Sequence, residues 1–381
     1  MAENMTQGYN ISDRHRRRID QVAICFGKLI RMFLYQNDWK VIPMAMLIAA
    51  VVSLVVKNDF FVNMEGTLKG ALALSCIGIW NGCFNSIQVI CRERDIVKRE
   101  HRAGMHISSY IFSHMLYQLI LCILQTVATM GILVVIGIKF PLFGAVSTYL
   151  VVDMGITLLL ITYAADMMAL FVSAIVRNTT TAMTVMPFLL IVQLIFSGGI
   201  FTLPSWSDGI AKLTVSHYGL RCIAAQADFN ELPSVTAWNT LQKMKDSDIP
   251  VTLTKGQIAQ TFQNENLTAI KELRSLNVNI KSLDTSVNVG EFADTVIGTF
   301  NLRENQDQIT FSFTIKDMIN LVGEEAVGKY VKETTSATLR RPYYEKTSQN
   351  VYKYWGALII FSLVCAVLAT VSLEFIDKDK R

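Results

Sequence analysis

One stretch of the sequence has the spacing of a nucleotide-binding loop: Gly323-Glu-Glu-Ala-Val-Gly328-Lys329-Tyr330. In such a loop, backbone N–H groups and a lysine hold the phosphates, and a final Ser or Thr hydroxyl binds magnesium. Tyr330 occupies that last position, and no apolar strand precedes the loop. We therefore predict no nucleotide site here, no catalytic residue and no ATPase activity in this chain.

The histidines and cysteines do not have the spacing of a metal site. The sequence has no H-E-x-x-H and no C-x-x-C pair, and its five histidines are scattered. We predict no metal and no cofactor in this chain. Of the seven cysteines only Cys222 falls in the large polar region, so that region should fold without an internal disulfide. Cys222 is then a buried free thiol or an intermolecular bridge.

Two carboxylates, Asp153 and Asp166, lie in one long apolar segment. Ionisable groups inside a membrane are candidates for function because they are costly to bury. Their separation of 13 residues, at about 100° per residue, points them to different helix faces, so they do not form a paired site. A transport role and simple hydrogen bonding to a nearby Tyr or Ser both remain open.

A stripe of amides on the second apolar segment predicts a substrate cavity. Asn81, Asn85 and Gln88 share one helix face, and amides facing lipid are costly. Helix–helix hydrogen bonding is the alternative interpretation. Aromatic groups on the fifth apolar segment suit loose apolar recognition across a dimer axis. The predicted cavity residues are Trp80, Asn81, Phe84, Asn85, Gln88, Phe188, Gln193 and Phe196.

Long apolar segments carry these residues. The chain has 381 residues, of which 51% are hydrophobic and 17% charged, whereas soluble domains average about 25% charged. A bilayer core about 30 Å thick needs about 20 apolar residues in a helix. The sequence predicts an all-α polytopic membrane protein with six transmembrane helices. These segments are Trp39–Val56, Lys69–Cys91, Tyr110–Ile138, Gly144–Val176, Thr181–Leu203 and Tyr354–Phe375.

Basic residues gather at the ends of alternate segments. Six precede Trp39 and five lie between the second and third segments, whereas the short loops on the other side hold three. The positive-inside rule therefore puts both termini in the cytoplasm, in a multi-pass protein of the plasma (inner) membrane. The net charge of +4 forms no single stripe, which argues against a nucleic-acid partner.

A polar region of about 150 residues separates the fifth and sixth segments, on the predicted outer side. Lys255–Leu276 has helix-like spacing, and Asn277–Phe313 has patches of strand-like alternation. We predict an inserted extracellular α/β domain. The predicted organisation is a cytoplasmic tail with an amphipathic connecting helix (1–38), helices one to five (39–203), the extracellular domain (204–353), and helix six with its tail (354–381).

Two cytoplasmic elements indicate a partner protein. Ile19–Gln36 has an apolar helical face typical of a helix on the inner membrane surface, acting as an anchor, a partner contact or both. The loop at 92–106 has ten charged or His residues in fifteen positions, with both signs. Paired charges on a short helix suit docking to another protein.

The loop resembles the first coupling helix of the G-type ABC exporters, the type-2 permeases. The resemblance rests on Glu93-Arg94, Arg99-Glu100, Gly104 and Tyr110. Three further stretches resemble the same family and cover, with the loop, about 19–225 and the last span. They are Ile19–Trp39 with its Arg31, Phe196–Pro204 and Ser216–Arg221.

This resemblance implies a permease that moves an amphipathic or lipid-like substrate by alternating access. It would pair with a second copy or a relative, amid membrane lipid, and dock a cytoplasmic ABC ATPase that binds ATP and Mg. Since only about 18 residues precede the connecting helix, we expect that ATPase on a separate chain or on a part missing from this sequence. The implied coupling residues are Arg31, Glu93, Arg94, Arg99, Glu100 and Gly104.

Two other functions compete with the permease. A membrane receptor or sensor with a folded extracellular domain would fit the polar insertion, but such a receptor needs a signalling domain, which we do not find in the sequence. A membrane enzyme would need an acid, base or nucleophile cluster in a span. The cargo (lipid, drug, peptide or polysaccharide) and the choice between homodimer and heterodimer stay open.

Overall fold

The computed structural model describes most of the chain and divides it into two compact units. The first unit is Met1–Leu232 with Arg340–Arg381, and the second is Pro233–Leu339. The described residues are 17–35, 38–201, 204–245, 248–254, 277–280, 285–288, 291, 308–316, 319 and 323–375.

Helices form almost all of the first unit. In chain order they are α1 (Arg18–Tyr35), α2 (Val41–Val56), α3 (Met64–Ser86), α4 (Val89–Arg102), α5 (Ile107–Ile136), α6 (Leu150–Ile175), α7 (Thr179–Ile195), α8 (Asp208–Ala211) and α9 (Val215–Gln226). The last helix of the chain, Ser348–Glu374, also belongs to this unit; it is named α12 below because two helices of the second unit precede it.

Within the described residues, four helices are long and apolar enough to cross a membrane: the α3–α4 stretch, α5, α6 and the helix Ser348–Glu374. This confirms a helical membrane protein. The apolar helices α2 and α7 have only 16 and 17 residues, about 25 Å at 1.5 Å per residue, against a bilayer core of about 30 Å. The count of six spans therefore stays a prediction.

The observed helices differ from the predicted spans at several ends; the helix of the second span, for example, is Met64–Ser86, and that of the last begins at Ser348. The fourth begins at Leu150 instead of Gly144, and the fifth ends at Ile195 instead of Leu203. In the fourth, the carboxylate of Asp153 accepts the backbone N–H groups of Val146 and Ser147, both at 2.9 Å. These bonds hold the preceding residues in a loop, which apolar composition alone does not reveal.

Glycines bring α3 and α6 into close contact at the centre of the first unit. A Cβ on Gly82 would lie 2.2 Å from the carbonyl oxygen of Thr162 and 2.7 Å from the backbone nitrogen of Asp166. A Cβ on Gly78 would lie 2.9 Å from a methyl carbon of Ile161. Small residues four apart let membrane helices approach closely and gain van der Waals contact. The polar side chains of α6 are thereby brought next to those of α3.

The short helix α9 packs against three long helices, α3, α6 and α12 (Ser348–Glu374). Its first turn is tied to α7, because Ser216 N donates to Gln193 Oε1 at 3.0 Å and Ser216 Oγ donates to the Gln193 carbonyl. Residues of α9 thus belong to the helical unit, although they lie inside the predicted 204–353 domain.

The second unit contains α10 (Thr236–Lys243), α11 (Glu324–Leu339) and four strands. Strands β1 (Asp248–Thr254) and β4 (Gln308–Thr314) pair antiparallel from Asp248–Thr314 to Thr254–Gln308. Strands β2 (Asn277–Ile280) and β3 (Thr285–Asn288) form a separate antiparallel pair. The predicted helix at Lys255–Leu276 lies outside the described residues, and the extracellular placement of an α/β domain stays a prediction.

Helices α10 and α11 pack on each other through Trp238. A Cβ on Gly328 would lie 3.3 Å from the indole ring of Trp238, and Lys332 Nζ lies 5.9 Å from its centre. Gln242 Nε2 donates to Glu324 Oε1 at 2.9 Å. Gly328 and Lys329 of the phosphate-loop-like stretch therefore lie inside a helix rather than in a loop.

Candidate functional site

The predicted coupling loop is mostly a regular helix, α4, with a sharp end. Gly104 has a φ of +102°, a backbone conformation that favours glycine. Met105 N donates to the Glu100 carbonyl and Gly104 N to the His101 carbonyl, both at 3.0 Å. These two bonds form a Schellman motif, which satisfies the last carbonyl groups of the helix and turns the chain into α5.

The first half of α4 is fastened to the end of α6. Ser173 Oγ accepts the backbone N–H groups of Ile90 and Cys91 at 3.1 and 3.2 Å, which satisfies donors at the start of α4. Arg94 Nη1 donates to the carbonyls of Ala174 and Val176 at 2.9 and 3.3 Å. Since the last carbonyls of a helix lack internal partners, this arginine caps α6 while it orients α4.

The other side of α4 is bound to α1 by charge. Lys28 Nζ lies 3.6 Å from Glu93 Oε2 and 3.8 Å from Glu100 Oε1. The Glu93 side chain is only 9% exposed, whereas those of Lys28 and Glu100 are about two-fifths exposed. Burial raises the pKa of the nearby Cys25 thiol, and the negative charge of Glu100 raises it further. One lysine on α1 therefore lies close to both glutamates of α4.

Hydrogen bonds join α1 to the turn after α4. Gln21 Nε2 donates to the Gly104 carbonyl at 3.3 Å, and Gln21 Oε1 accepts the His106 N–H at 2.9 Å. Ser109 Oγ donates to the Arg18 carbonyl at 3.3 Å. With Lys28, these contacts fix α1 against both ends of α4, so a displacement of α4 must also displace α1.

One face of α4 remains exposed. The buried residues of this helix lie on its other faces and are Ile90, Cys91, Glu93 and Val97. Its exposed positions recur at i, i+3, i+4 and i+7, the spacing of a single helix face: they are Arg92, Asp95, Ile96 and Arg99. This surface, called the α4 outer face below, combines both charge signs with an apolar side chain.

Asp166 lies at the centre of a buried polar network. Ser86 Oγ and Cys122 Sγ donate to its carboxylate, the latter at 3.4 Å, and Gln118 Nε2 donates to Ser86 Oγ at 2.8 Å. Its partners come from α3 and α5, so the network joins three helices. Asp153, in the first turn of α6, caps its own preceding loop instead. Asp153 and Asp166 make no shared contact, as their spacing predicted.

The predicted substrate residues divide between two cavities. Trp80 and Gln193 line an almost wholly apolar groove of about 390 Å³ between α2, α3 and α7. Phe84, Asn85 and Gln88 line a second, mixed cavity of about 190 Å³. The remaining members of the predicted set line neither: Asn81, Phe188 and Phe196.

Asn85 shows that helix–helix bonding accounts for part of the amide stripe. Its Nδ2 donates to Gln125 Oε1 at 2.9 Å, and Gln125 Nε2 donates back to Asn85 Oδ1 at 3.0 Å. This reciprocal pair satisfies both amides across α3 and α5. Gln193 likewise has a structural role, because its Oε1 accepts the N–H of Ser216 in the first turn of α9.

A family model of the ABC-2 type transporter matches residues 21–225, from the first turn of α1 to the end of α9. This range covers more than half of the chain. The chain belongs to the ABC-2 type transporter family. The resemblance drawn from the coupling-helix residues is thereby confirmed at the level of the family.

An ABC transporter ATP-binding/permease protein of Mycobacterium tuberculosis is similar to this ABC-2 type chain. It is 26% identical over 161 residues, which are 40% of this chain and 18% of the relative. This ABC-2 type chain thus matches about a fifth of the length of that relative.

In this ABC-2 type chain, four of the predicted coupling residues share one contact region: Glu93, Arg94, Glu100 and Gly104. Arg31 and Arg99 are exposed. The sequence reasoning missed Lys28, Gln21 and Ser173 as partners of α4. The sequence did contain a signal for Lys28 as a partner of α4. It is a positive charge beside the apolar stripe of α1, and the predicted coupling loop has two glutamates. Nothing in the sequence indicated Ser173.

Cys222, whose state the sequence left open, is a buried free thiol within the described residues. It lies 3.5 Å from Thr157 Oγ1, which also accepts the N–H of Trp355 and an amide N–H of Gln226, each at 2.8 Å. This cluster joins α6, α9 and α12. The thiol is therefore part of the packing between helices.

Proposed function

We propose that this chain is the membrane-spanning permease of an ATP-driven exporter. ATP and Mg bind and react in a cytoplasmic ABC ATPase, and this chain performs no catalysis itself. The observation that carries the proposal is the fastening of α4 to α1 and α6 by Lys28, Arg94 and Ser173. A helix held in this way transmits a push from its free side to the membrane helices.

The α4 outer face is the proposed docking surface for the ATPase. Ile96 is 38% exposed on a helix whose other faces are packed. It is flanked by Arg92, Asp95 and Arg99, so charge complementarity would set the register of docking. The name of the mycobacterial relative, which combines ATP-binding and permease functions, supports a functional link between such parts. The same protein or a separate chain can supply the ATPase.

The groove between α2, α3 and α7 is the proposed site of substrate passage. Its lining includes Ile48, Cys76, Trp80 and Leu190 and offers almost no polar surface. An apolar lining with one aromatic side chain suits an amphipathic or lipid-like substrate. Phe188 on α7 is 67% exposed and lies outside this lining, so we give it no part in the passage.

The proposed working unit is a dimer with a second copy or a related permease, surrounded by membrane lipid. Exposed apolar side chains on α2 and α7, such as Leu54 and Ile191, would lie between the two copies. Alternating access would then open and close the space between facing grooves. We propose the inner plasma membrane as its location, with both termini cytoplasmic, because basic residues gather on that side.

Recovery of the ATPase with the purified permease tests this function. The double variant Ile96→Asp with Arg99→Glu should reduce recovery of the ATP-hydrolysing partner and export by about tenfold, since it removes one apolar contact and reverses one charge. Lys139→Glu, a charge reversal at another exposed residue, is the matched control and should leave both unchanged. Equal recovery from the double variant and the control would contradict docking at α4.

A further inference from the structure

The mixed cavity of about 190 Å³ lies between α1 and the helices α3, α4 and α5. Leu29 and Met32 of α1 form one wall, and Phe84, Tyr117 and Leu121 form apolar parts of the others. It is separate from the apolar groove proposed for transport, with which it shares no lining residue. The proposed function does not involve this cavity.

Three buried polar groups on its wall lack hydrogen-bond partners among the described residues. They are both ring nitrogens of His114, Oε1 of Gln118 and Oε2 of Glu93, the last of which has only the ion pair with Lys28 Nζ at 3.6 Å. His114 and Gln118 are each 1% exposed, and Glu93 is 7% exposed. Buried polar groups are almost always hydrogen-bonded, since an unpaired one has lost its bonds to water without any replacement. Unmet groups gathered around one cavity therefore indicate an occupant.

The chemistry of these groups defines the occupant. Gln118 Oε1 and Glu93 Oε2 accept hydrogen bonds only, and an uncharged imidazole adds one acceptor and one donor. A ligand of this site must therefore mainly donate hydrogen bonds. A carboxylate on the wall disfavours an anion, while Arg92 on the wall and Lys28 beside Glu93 disfavour a cation. An uncharged head with hydroxyl groups satisfies all of these conditions.

The size and opening of the cavity indicate how such a molecule would lie. Pockets for drug-sized ligands measure about 300–1,000 Å³, so this one holds a head group and not a whole lipid. Phe84, at its edge, is 50% exposed on the surface of a membrane-spanning helix. An alkyl chain attached to the head would leave past Phe84 and lie along the apolar surface.

We propose that this cavity binds the hydroxyl-bearing head of an uncharged amphiphile from the surrounding membrane. The hydroxyl groups donate to Gln118, Glu93 and His114, and the alkyl chain passes Phe84. Because Leu29 and Met32 of α1 cover the head, a bound molecule contacts the helix that is fastened to α4.

Binding of radiolabelled 1-octanoylglycerol to the purified full chain in phosphatidylcholine nanodiscs tests the site. We expect saturable binding of one molecule per chain. The dimethyl ether of the same molecule keeps its acceptors and chain but has no O–H group, so it should compete at least tenfold less well, because a site built for donors rejects an analogue without them. This comparison uses the unaltered protein. No saturable binding, or equal competition by the ether, would overturn the proposal and leave a cavity occupied by water alone.

Variants locate the binding. Leu121→Phe fills the cavity and His114→Phe removes two polar atoms from its wall, so each should weaken binding at least tenfold. Leu190→Trp, which fills the apolar groove and lies outside the mixed cavity, should leave the affinity unchanged. Loss of binding in Leu190→Trp with retention in both cavity variants would place the molecule in the transport groove and overturn the assignment. The assay contains no ATP or ATPase, so its result is independent of coupled export.

Discussion

Lys28 on α1 lies 3.6 Å from the nearly buried carboxylate of Glu93 on α4, across 65 residues of sequence. The same ammonium group lies 3.8 Å from Glu100, about two turns further along α4. A single cation thus compensates two acidic side chains at the surface where α1 and α4 meet. We therefore expect Lys28 to contribute most directly to the packing of α1 against α4.

Replacing Lys28 should destabilise the protein. Lys28→Met leaves the buried Glu93 carboxylate without its counter-charge, and we expect a loss of about 1 kcal/mol, a value kept small because the lysine is partly exposed. Thermal unfolding of the purified chain measures it. Arg31→Met on the exposed face of α1 removes an equal charge and should have little effect. Equal shifts in the two variants would mean that the ion pair adds nothing to stability.

Gly82 should not tolerate a side chain. In Gly82→Ala the new Cβ would meet the Thr162 carbonyl oxygen at 2.2 Å, so α3 and α6 must separate along their contact. We expect a loss of several °C in melting temperature and reduced yield of folded protein. Gly131→Ala on α5 is the matched control, because nothing lies within 4 Å of its Cβ position. It should be neutral or slightly stabilising, since alanine is the better helix former.

The Asp166 network should depend on hydrogen bonding more than on charge. Asp166→Asn keeps the shape and one acceptor for Ser86 or Cys122, so we expect folding and export close to those of the original protein. Asp166→Leu leaves the Ser86 hydroxyl without this acceptor, and should cost about 1–3 kcal/mol. Melting temperature and export, measured together, separate the outcomes. A folded Asp166→Asn protein that has lost export would instead assign the carboxylate a role in transport.

Filling the apolar groove should block transport without disturbing ATP hydrolysis in the absence of substrate. Leu190→Trp adds volume inside the groove of about 390 Å³ that Leu190 lines. We expect export and its stimulation of ATP hydrolysis to fall at least tenfold, while basal hydrolysis and melting temperature change little. Val135→Trp, at a position 81% exposed on α5, adds a larger side chain elsewhere and is the control. Unchanged export in Leu190→Trp would exclude this groove as the passage.

The sequence pointed to the segment that forms α4 because its signals are local. Charge density between 92 and 106 predicted a short helix, and the structure ends that helix where Gly104 adopts a positive φ. The amphipathic pattern of α1 was equally local. Their mutual contact was not, since the Lys28–Glu93 pair joins residues far apart along the chain.

The predicted substrate cavity illustrates what a helical pattern leaves undecided. Trp80 and Phe84 lie one turn apart on α3, and Gln88 comes just after its end. The sequence placed all three in one cavity, yet they line two different ones. Which neighbour meets each side chain depends on α1, α5 and α7, and on the close approach of α3 to α6. No periodicity within α3 carries that information.

The amino-acid sequence was sufficient to predict a helical membrane protein, because apolar length is a sum over neighbouring residues. Its likeness to ABC permeases came from the short motifs around α4, and the family match confirmed it. The folded structure was needed to show that Asp166 joins three helices and that α4 is held by Lys28, Arg94 and Ser173. These contacts join residues tens of positions apart, so no local pattern in the sequence encodes them. The geometry of these contacts depends on how closely two helix backbones can approach each other, as α3 and α6 do at Gly82. It also depends on the hydrogen bonds that buried polar side chains must then form with each other.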